Sequence, residues 1–422
     1  MKFLVNKPKV YFKTFGCRTN IFDTQVMISH IKDFEVASSE NEADIVVINS
    51  CTVTNSADSS AKNYVNGLKK LSNNPKVFFT GCGVWTKGEG LFNEGKIDSL
   101  FGHSLKEDIN EILKSESRVF EPGNLEHIDK TIVSEFVGKS RAFIKIQEGC
   151  DFRCSYCIIP YVRGDARSYD SKLILEQIST LTQNGFGEFI LTGTNIGSYG
   201  KKDKNTSLAK LLKEIFKLKG VRRVRLGSVE PVQIDDEFKE LLSESQMAKH
   251  LHIALQHTSK EMLRIMNRRN KVLDDLELFE YIASKGYAIG TDYIVGHPGE
   301  SDVLWSEAME NLHRFPLTHV HAFTYSKRDG TPSAQMKDIV RGDKAKIRYN
   351  ELISIIEEKN INFRKNTNEP LSILIEQQKD GFYIGYDQFY NMIEVKSDTD
   401  LVGDWVEIKD YEILRGNNVA KF

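Results

Sequence analysis

Short, unbroken apolar runs alternating with mixed polar stretches dominate the first third of the chain. Val10–Phe15 reads as a strand and runs into Gly16-Cys17. Asp44–Ser50 carries Ile-Val-Val-Ile at its centre, which predicts a strand buried on both faces, and it runs into Cys51. Lys76–Thr80 predicts a third strand, followed by Gly81-Cys82. Helical spacing falls between them, over Thr24–Ile31 and Ser59–Leu71, with Asp58 or Ser56 as the candidate cap. Strand–helix–strand order argues for a parallel sheet with helices on its faces, a form whose ligands bind beyond the carboxyl ends of the strands. From Glu94 to Val137 the pattern weakens. Ile97–Gly102 predicts a short strand, Lys106–Lys114 a helix, and Glu121–Asn124 a turn-rich linker.

The middle of the chain repeats one unit six times. Strands are predicted at Arg141–Gln147, Glu188–Gly193, Arg222–Gly227, His250–Gln256, Ala288–Gly296 and Thr318–Phe323. Helices are predicted near Lys172–Asn184, Leu208–Leu218, Leu273–Lys285 and Trp305–His313. Alternation alone allows a barrel or an open doubly wound sheet. Lys344–Asn366 then predicts a long charged helix, and Asn368-Glu369-Pro370 a boundary. Beyond it, short strands at Leu371–Glu376, Phe382–Gly385, Asn391–Lys396 and Asp404–Ile408 predict a small β-barrel.

Composition narrows the class. The 422 residues are 40% hydrophobic and 27% charged with a net charge of −2, which suits a globular protein of two or three domains and gives no global polycation for nucleic acid. The start, Met1–Pro8, has too short an apolar run for a signal peptide, and no stretch of eighteen apolar residues predicts a membrane span. Six cysteines are few for a disulfide scaffold of this length, so they read as metal ligands or catalytic thiols in a reducing cytoplasm.

Three of them, Cys150, Cys154 and Cys157, sit in one C-x3-C-x2-C loop directly after a predicted strand. A [4Fe–4S] cluster takes four thiolates, so three leave one iron open to chelate the amino and carboxylate groups of a small molecule. A zinc loop and a structural disulfide are the alternatives on this loop alone. The other three, Cys17, Cys51 and Cys82, are far apart in sequence but end three strands of one predicted sheet. Free cysteine is common in protein cores. Three thiols at the same structural position point instead to a second three-cysteine iron–sulfur cluster, and Gly16, Gly81 and Gly83 leave room for a bulky group.

The cysteine loop, with Tyr156 just before its last thiol, resembles the signature of the radical S-adenosylmethionine (SAM) enzymes. The resemblance implies a partial (β/α) barrel, a cluster on Cys150, Cys154 and Cys157, and SAM on the open iron. Tyr156, Gly193, Thr194, Glu230 and Gln256 are the candidate SAM contacts, because they lie in the cysteine loop or in loops at strand C-termini, where barrel-like folds build their sites. Thr14-Phe15-Gly16-Cys17, Asn49-Ser50-Cys51-Thr52-Val53-Thr54, Thr80-Gly81-Cys82, Gln147-Glu148-Gly149-Cys150, Cys157-Ile158-Ile159-Pro160-Tyr161-Val162-Arg163-Gly164 and Gly296-His297-Pro298-Gly299-Glu300 extend it to the methylthiotransferase family over essentially the whole chain. That family implies an α/β chain in three parts: an open-sheet domain at 1–135, a radical SAM core at 138–368, and a TRAM-like β-barrel at 369–422. It also implies two [4Fe–4S] clusters and two SAM molecules per turnover. One SAM methylates a sulfur held at the N-terminal cluster, and the other yields the radical that opens an unreactive C–H bond.

Thr52-Val53-Thr54-Asn55 and Leu191–Gly200 look most like the branch that acts on N6-threonylcarbamoyladenosine at position 37 of the tRNA anticodon loop. The other branches act on N6-isopentenyladenosine-37 or on an aspartate of ribosomal protein S12. A non-catalytic iron–sulfur RNA-binding protein is the reading of another class. The implied partners are tRNA, an electron donor such as flavodoxin or ferredoxin, and a sulfur donor, with no membrane. Three features depart from the family pattern. His297 stands where Phe is usual, and His257-Thr258 where a Ser-Gly pair is usual. Residues 371–422 carry five Lys/Arg against ten Asp/Glu, unlike a phosphate-binding surface. Basic candidates lie instead at Arg222, Arg223 and Arg225, at Arg264, Arg268, Arg269 and Lys271, and at Arg153, Arg163 and Arg167. His319 and His321 alternate on one strand and so share a face.

Overall fold

A computed structural model of the chain describes residues 7–422 except 137, 202, 204 and 205. Residues 1–6 of the start considered for a signal peptide lie outside the described residues. Ile45–Ser50 is buried at all six positions, as a central parallel strand covered on both faces must be. Lys9–Thr14 and Lys76–Gly81 pair with it on either side, placing Asn49 opposite Thr14 and Thr80. The six parallel strands run in the order Glu35–Val36, Lys9–Thr14, Ile45–Ser50, Lys76–Gly81, Ser99–Phe101 and Phe120–Glu121. The winding reverses between Lys9–Thr14 and Ile45–Ser50, and open α/β sheets bind ligands at such a crevice.

The first helix, Arg18–Ser29, starts earlier than its apolar spacing predicts because Cys17 itself occupies the N-cap. Thr54, rather than Asp58 or Ser56, caps Asn55–Leu68 by accepting from the Ala57 N–H. The expected helix at 106–114 divides into a 3₁₀ segment, His103–Asp108, and a short α-helix, Ile109–Lys114.

In the middle region, parallel strands Ala142–Lys145, Glu188–Thr192 and Arg223–Leu226 form one ladder, and His250–His252, Ala288–Val295 and His319–Thr324 another. Bridges Val224–Met247 and Val229–Ile253 join them into a six-stranded partial barrel. Helices Ser171–Gln183, Leu208–Phe216, Val272–Ser284 and Asp302–Arg314 cover its outer face. Three of the four are capped by Asp170, Ser207 and Ser301 side chains. The strand expected over 250–256 leaves the ladder after His252 and turns at Gln256, whose φ is +67°, a costly backbone angle for a residue with a Cβ.

Helix Gly342–Lys365 crosses from the barrel to the C-terminal sheet, where Arg364 donates to the carbonyls of Leu414 and Asn417 and to Asn418. That sheet has six strands in the order Trp405–Ile408, Leu371–Lys379, Phe382–Tyr386, Met392–Lys396, Asn418–Lys421 and Glu412–Ile413. It curls as a half-barrel around Ile373, Ile375, Tyr383, Ile393, Val395 and Val406. Among the described residues no helix is long and apolar enough to cross a membrane.

Candidate active site

The cysteine loop leaves strand Gln147–Glu148 through Gly149, whose φ is +73° and where an added Cβ would lie 2.0 Å from the Asp165 carbonyl oxygen. Only glycine fits there. Beyond it the sulfurs meet N–H donors. The Phe152 N–H lies 3.4 Å and Asn195 Nδ2 3.7 Å from Cys150 Sγ, and Arg268 Nη1 lies 3.7 Å from Cys154 Sγ. Burial pushes the Cys157 thiol up to about 12, and the nearby Cys154 and Cys150 add to the rise. A cation at the loop would reverse that preference, because metal ligation takes the thiolate form. Three converging thiols, N–H donors on their sulfurs and a glycine entry fit a cluster with three protein ligands.

The candidate SAM contacts surround this loop in different ways. Tyr156 sits edge-to-face with the His297 ring. Thr194 Oγ1 accepts from the Gly149 N–H at 3.2 Å and so ties its own loop to the cysteine loop. Gly193 packs on Gln147, where a Cβ would lie 2.7 Å from the carbonyl oxygen. Glu230 is paired with Arg268 through both carboxylate oxygens, so it is neither a free carboxylate nor a surface one. Gln256 sits half-buried at the strained turn.

The departures His297 and His257-Thr258 lie in the packing around the loop. His297 Nδ1 donates to the Pro298 carbonyl, so Nε2 accepts from the Ser333 hydroxyl, which is itself 2.8 Å from Ser155 in the cysteine loop. Burial holds His297 down at about 4, consistent with this neutral ring. His257 Nδ1 accepts from the Ser259 N–H, which leaves Nε2 to donate to Glu300. Glu300 also takes Arg348 and the Gly296 N–H, so one carboxylate closes the Gly296–Glu300 turn. Thr258 bonds Tyr293 and the Ala308 carbonyl inside the barrel wall.

The dispersed cysteines come together at the sheet crevice. At Gly16, φ +92°, an added Cβ would lie 2.7 Å from Cys51 Sγ. Burial pushes the Cys51 thiol up to about 12, with Cys82 and Cys17 close enough to add to the rise. Burial also raises Cys82, against the pull of Arg163, whose Nε lies 3.1 Å from the Cys82 sulfur.

Arg163 was expected to be a basic surface candidate. It is instead the hub of a buried ion cluster. It contacts Asp23, Glu148 and Asn20, while Lys145 and Lys106 pair with Asp23, Lys145 with Glu148, and Lys106 with Asp129. Three cations thus face three carboxylates, and charges in a dry interior persist only when so paired. Burial opposes ionisation of Asp23, yet Lys106, Lys145 and Arg163 together hold it well below the usual carboxylate range. Arg223, Arg225 and Arg268 are also buried and paired, the first two with Glu188. Sequence reasoning missed Asp23, Lys106 and Lys145. The available signal was Lys145, a charge inside a fully buried strand.

A cavity of about 1040 Å³ opens beside Cys17 and Cys51 and reaches the Gly193-Thr194 loop; Cys150, Cys154 and Cys157 do not line it. Cys17, Arg18 and Cys51 form one wall. Gly193 and Thr194 contribute to another, and Tyr386 and Tyr390 of the C-terminal sheet to a third. None of the basic candidates except Arg225 lines it.

Residues 9–102 match the uncharacterized protein family UPF0004, and residues 144–315 match the radical SAM superfamily. A putative methylthiotransferase of Helicobacter pylori is 54% identical over 98% of this chain and 100% of its own length. The threonylcarbamoyladenosine tRNA methylthiotransferase MtaB of Aquifex aeolicus is 34% identical over 88% of this chain and 93% of its own. The chain belongs to the radical SAM methylthiotransferases. The tRNA-2-methylthio-N(6)-dimethylallyladenosine synthase of Natranaerobius thermophilus, 30% identical over 98% and 96% of the two chains, is a relative in the same family. The fold of this methylthiotransferase is also that of the radical SAM methyltransferase TsrM of Kitasatospora setae, with a TM-score of 0.61 over 78% of this chain and 77% of the other at 14% identity. As a radical SAM enzyme the methylthiotransferase uses a [4Fe–4S] cluster and SAM.

Proposed function

We propose that the enzyme inserts a methylthio group at C2 of N6-threonylcarbamoyladenosine at position 37 of tRNA. Cys150, Cys154 and Cys157 hold the radical SAM cluster in this reading. Tyr156, Gly193, Thr194, Glu230 and Gln256 border the SAM site, with Glu230 acting through Arg268. Cys17, Cys51 and Cys82 hold a second [4Fe–4S] cluster on the opposite side. Carbon 2 of adenine carries no acidic proton, so no side-chain base can open its C–H bond. When bound, the cluster and SAM supply a carbon radical for that step, and the protein supplies orientation and exclusion of water.

The observation that carries the reading is the cavity. Its walls bring Cys17 and Cys51 to face the Thr194 loop, which is hydrogen-bonded beside Cys150. Tyr386 and Tyr390 stack with ring centroids 4.9 Å apart, a surface suited to a nucleobase. Arg18 contacts only the neutral Tyr390 in its hydrogen bonds and ion pairs among the described residues, which suits a substrate bearing a carboxylate, as the threonyl group does and an isopentenyl group does not. The acidic C-terminal sheet contributes aromatic rings to this wall in place of phosphate-gripping cations. An electron donor, a sulfur donor and a cytoplasmic setting complete the proposal.

Nucleosides from tRNA of a strain lacking the gene, compared with its parent by mass spectrometry, test it. The expected result is loss of 2-methylthio-N6-threonylcarbamoyladenosine with build-up of its unthiolated precursor. Loss of the isopentenyl analogue overturns the substrate assignment and keeps the chemistry. Unchanged tRNA overturns the tRNA assignment and points to ribosomal protein S12.

A further inference from the structure

Four histidines face one another across the inner surface of the barrel. His250 and His252 stand on one strand, His319 and His321 on another, and Asp292 on the strand between them. Gly290 makes the gathering possible, since an added Cβ would lie 3.0 Å from His250 Nε2 and 3.1 Å from His252 Nδ1. Within the group, His252, Asp292 and His321 bring one ligand atom each within 4.8 Å of one another. Asp292 is directly opposite His321 in the ladder, and His252 is opposite Gly290, two residues away.

We propose that His252, Asp292 and His321 form a binding site for a divalent first-row transition-metal ion, separate from both cysteine sets. Asp292 Oδ1 lies 3.1 Å from His252 Nε2 and 3.5 Å from His321 Nδ1. Ligands on one ion at bonds of about 2.1 Å are separated by about 3.0–3.4 Å, so these spacings are those of adjacent positions around a shared metal. His252 Nε2 is buried and makes no aligned hydrogen bond despite lying 3.1 Å from Asp292 Oδ1. Two imidazoles and one carboxylate are a donor set that suits Fe(II), Zn(II) or Co(II) and leaves further positions for other ligands. His252 and His321 both line the large cavity, so the open positions face it and are available to an anionic oxygen of a bound molecule. The arrangement supplies no thiolate, and so it discriminates against the soft ions that the cysteines favour.

Protein with its cysteines loaded with iron and sulfide is exposed to Zn(II), desalted and analysed for zinc, and Co(II) is then substituted and followed by EPR with the clusters in their diamagnetic oxidised state. The expected result is one ion per chain with a nitrogen- and oxygen-ligated cobalt spectrum. The His321→Ala and Asp292→Ala variants weaken binding at least tenfold while iron content and melting temperature stay near those of the parent. His321 is exposed, so its variant keeps the fold even if Asp292→Ala does not. No zinc on the loaded parent, or binding unchanged in His321→Ala, overturns the site.

Discussion

The two cysteine sets reach similar ends by opposite routes. Cys150, Cys154 and Cys157 are held by one loop, with Gly149 at its entry and neighbours such as Thr194 and Ser333 bonded to its backbone and side chains. Cys17, Cys51 and Cys82 share no loop, and only the order of a parallel sheet brings them together. The first set is therefore specified by local spacing. The second depends on the sheet being packed correctly, and its surroundings include a fully buried charge cluster that ties the sheet to the barrel. A locally built centre tolerates change at a distance, while a centre built by topology inherits every weakness of the seam beside it.

The largest test separates the two sets by function. Cys154→Ala is expected to abolish reductive SAM cleavage, read as release of 5′-deoxyadenosine. Cys51→Ala is expected to keep cleavage and lose the methylthio product, and a Cys51→Ala enzyme that still thiomethylates would remove the dispersed set from the reaction. Next in size is Arg163→Met, which leaves Asp23 and Glu148 short of a buried partner. Its cost is expected at about 3–5 kcal/mol by denaturant unfolding, with iron content falling toward that of one cluster. Equal iron loss from both sets would break the comparison.

Acid should act on the same seam. Asp23 and Glu148 have carboxyls held below the ordinary range, burial opposing the charge and the surrounding cations prevailing. A depressed folded value means that their contribution is complete above the unfolded value of about 4 and is lost as pH falls below it. Hydrogen exchange in 18–29 and 142–148 is expected to accelerate between about pH 4 and 3, before exchange in the strands 382–386 and 392–396. The smallest effect is expected for His297→Phe, which removes the bond to Ser333 and keeps an aromatic ring in its place. About 1 kcal/mol of stability should be lost, with SAM cleavage retained.

The frame was legible because it is made of apolar runs. Ile45–Ser50 and its neighbours announced a parallel sheet, and the cysteines at their ends announced a shared position. The six middle strands and the helix at 342–365 were equally plain. The strands Glu412–Ile413 and Asn418–Lys421 were not, since they are short, and much of their pattern is polar. The buried charges were hidden for a different reason. Asp23, Lys106, Asp129, Lys145, Glu148 and Arg163 are residue types that solvent usually claims, and they are scattered across two regions of sequence. Nothing local marks them as partners, and only the packed fold brings them into register. The same holds for His252, Asp292 and His321, whose common face depends on which strands are neighbours.

Arg163 closes the short helix Ile159–Arg163, which begins just after Cys157, and its side chain ends on the sulfur of Cys82. The stretch from Cys157 to Arg163 is thus a fixed-length spacer between the two cysteine sets. Adding or deleting one residue there would swing the guanidinium about 100° around the helix axis and carry it away from Cys82. Length, more than composition, is what this segment must preserve. A cysteine loop followed at C-x5-R by an arginine is a pattern by which other chains with two cysteine sets can be sought among radical SAM sequences that carry an N-terminal sheet.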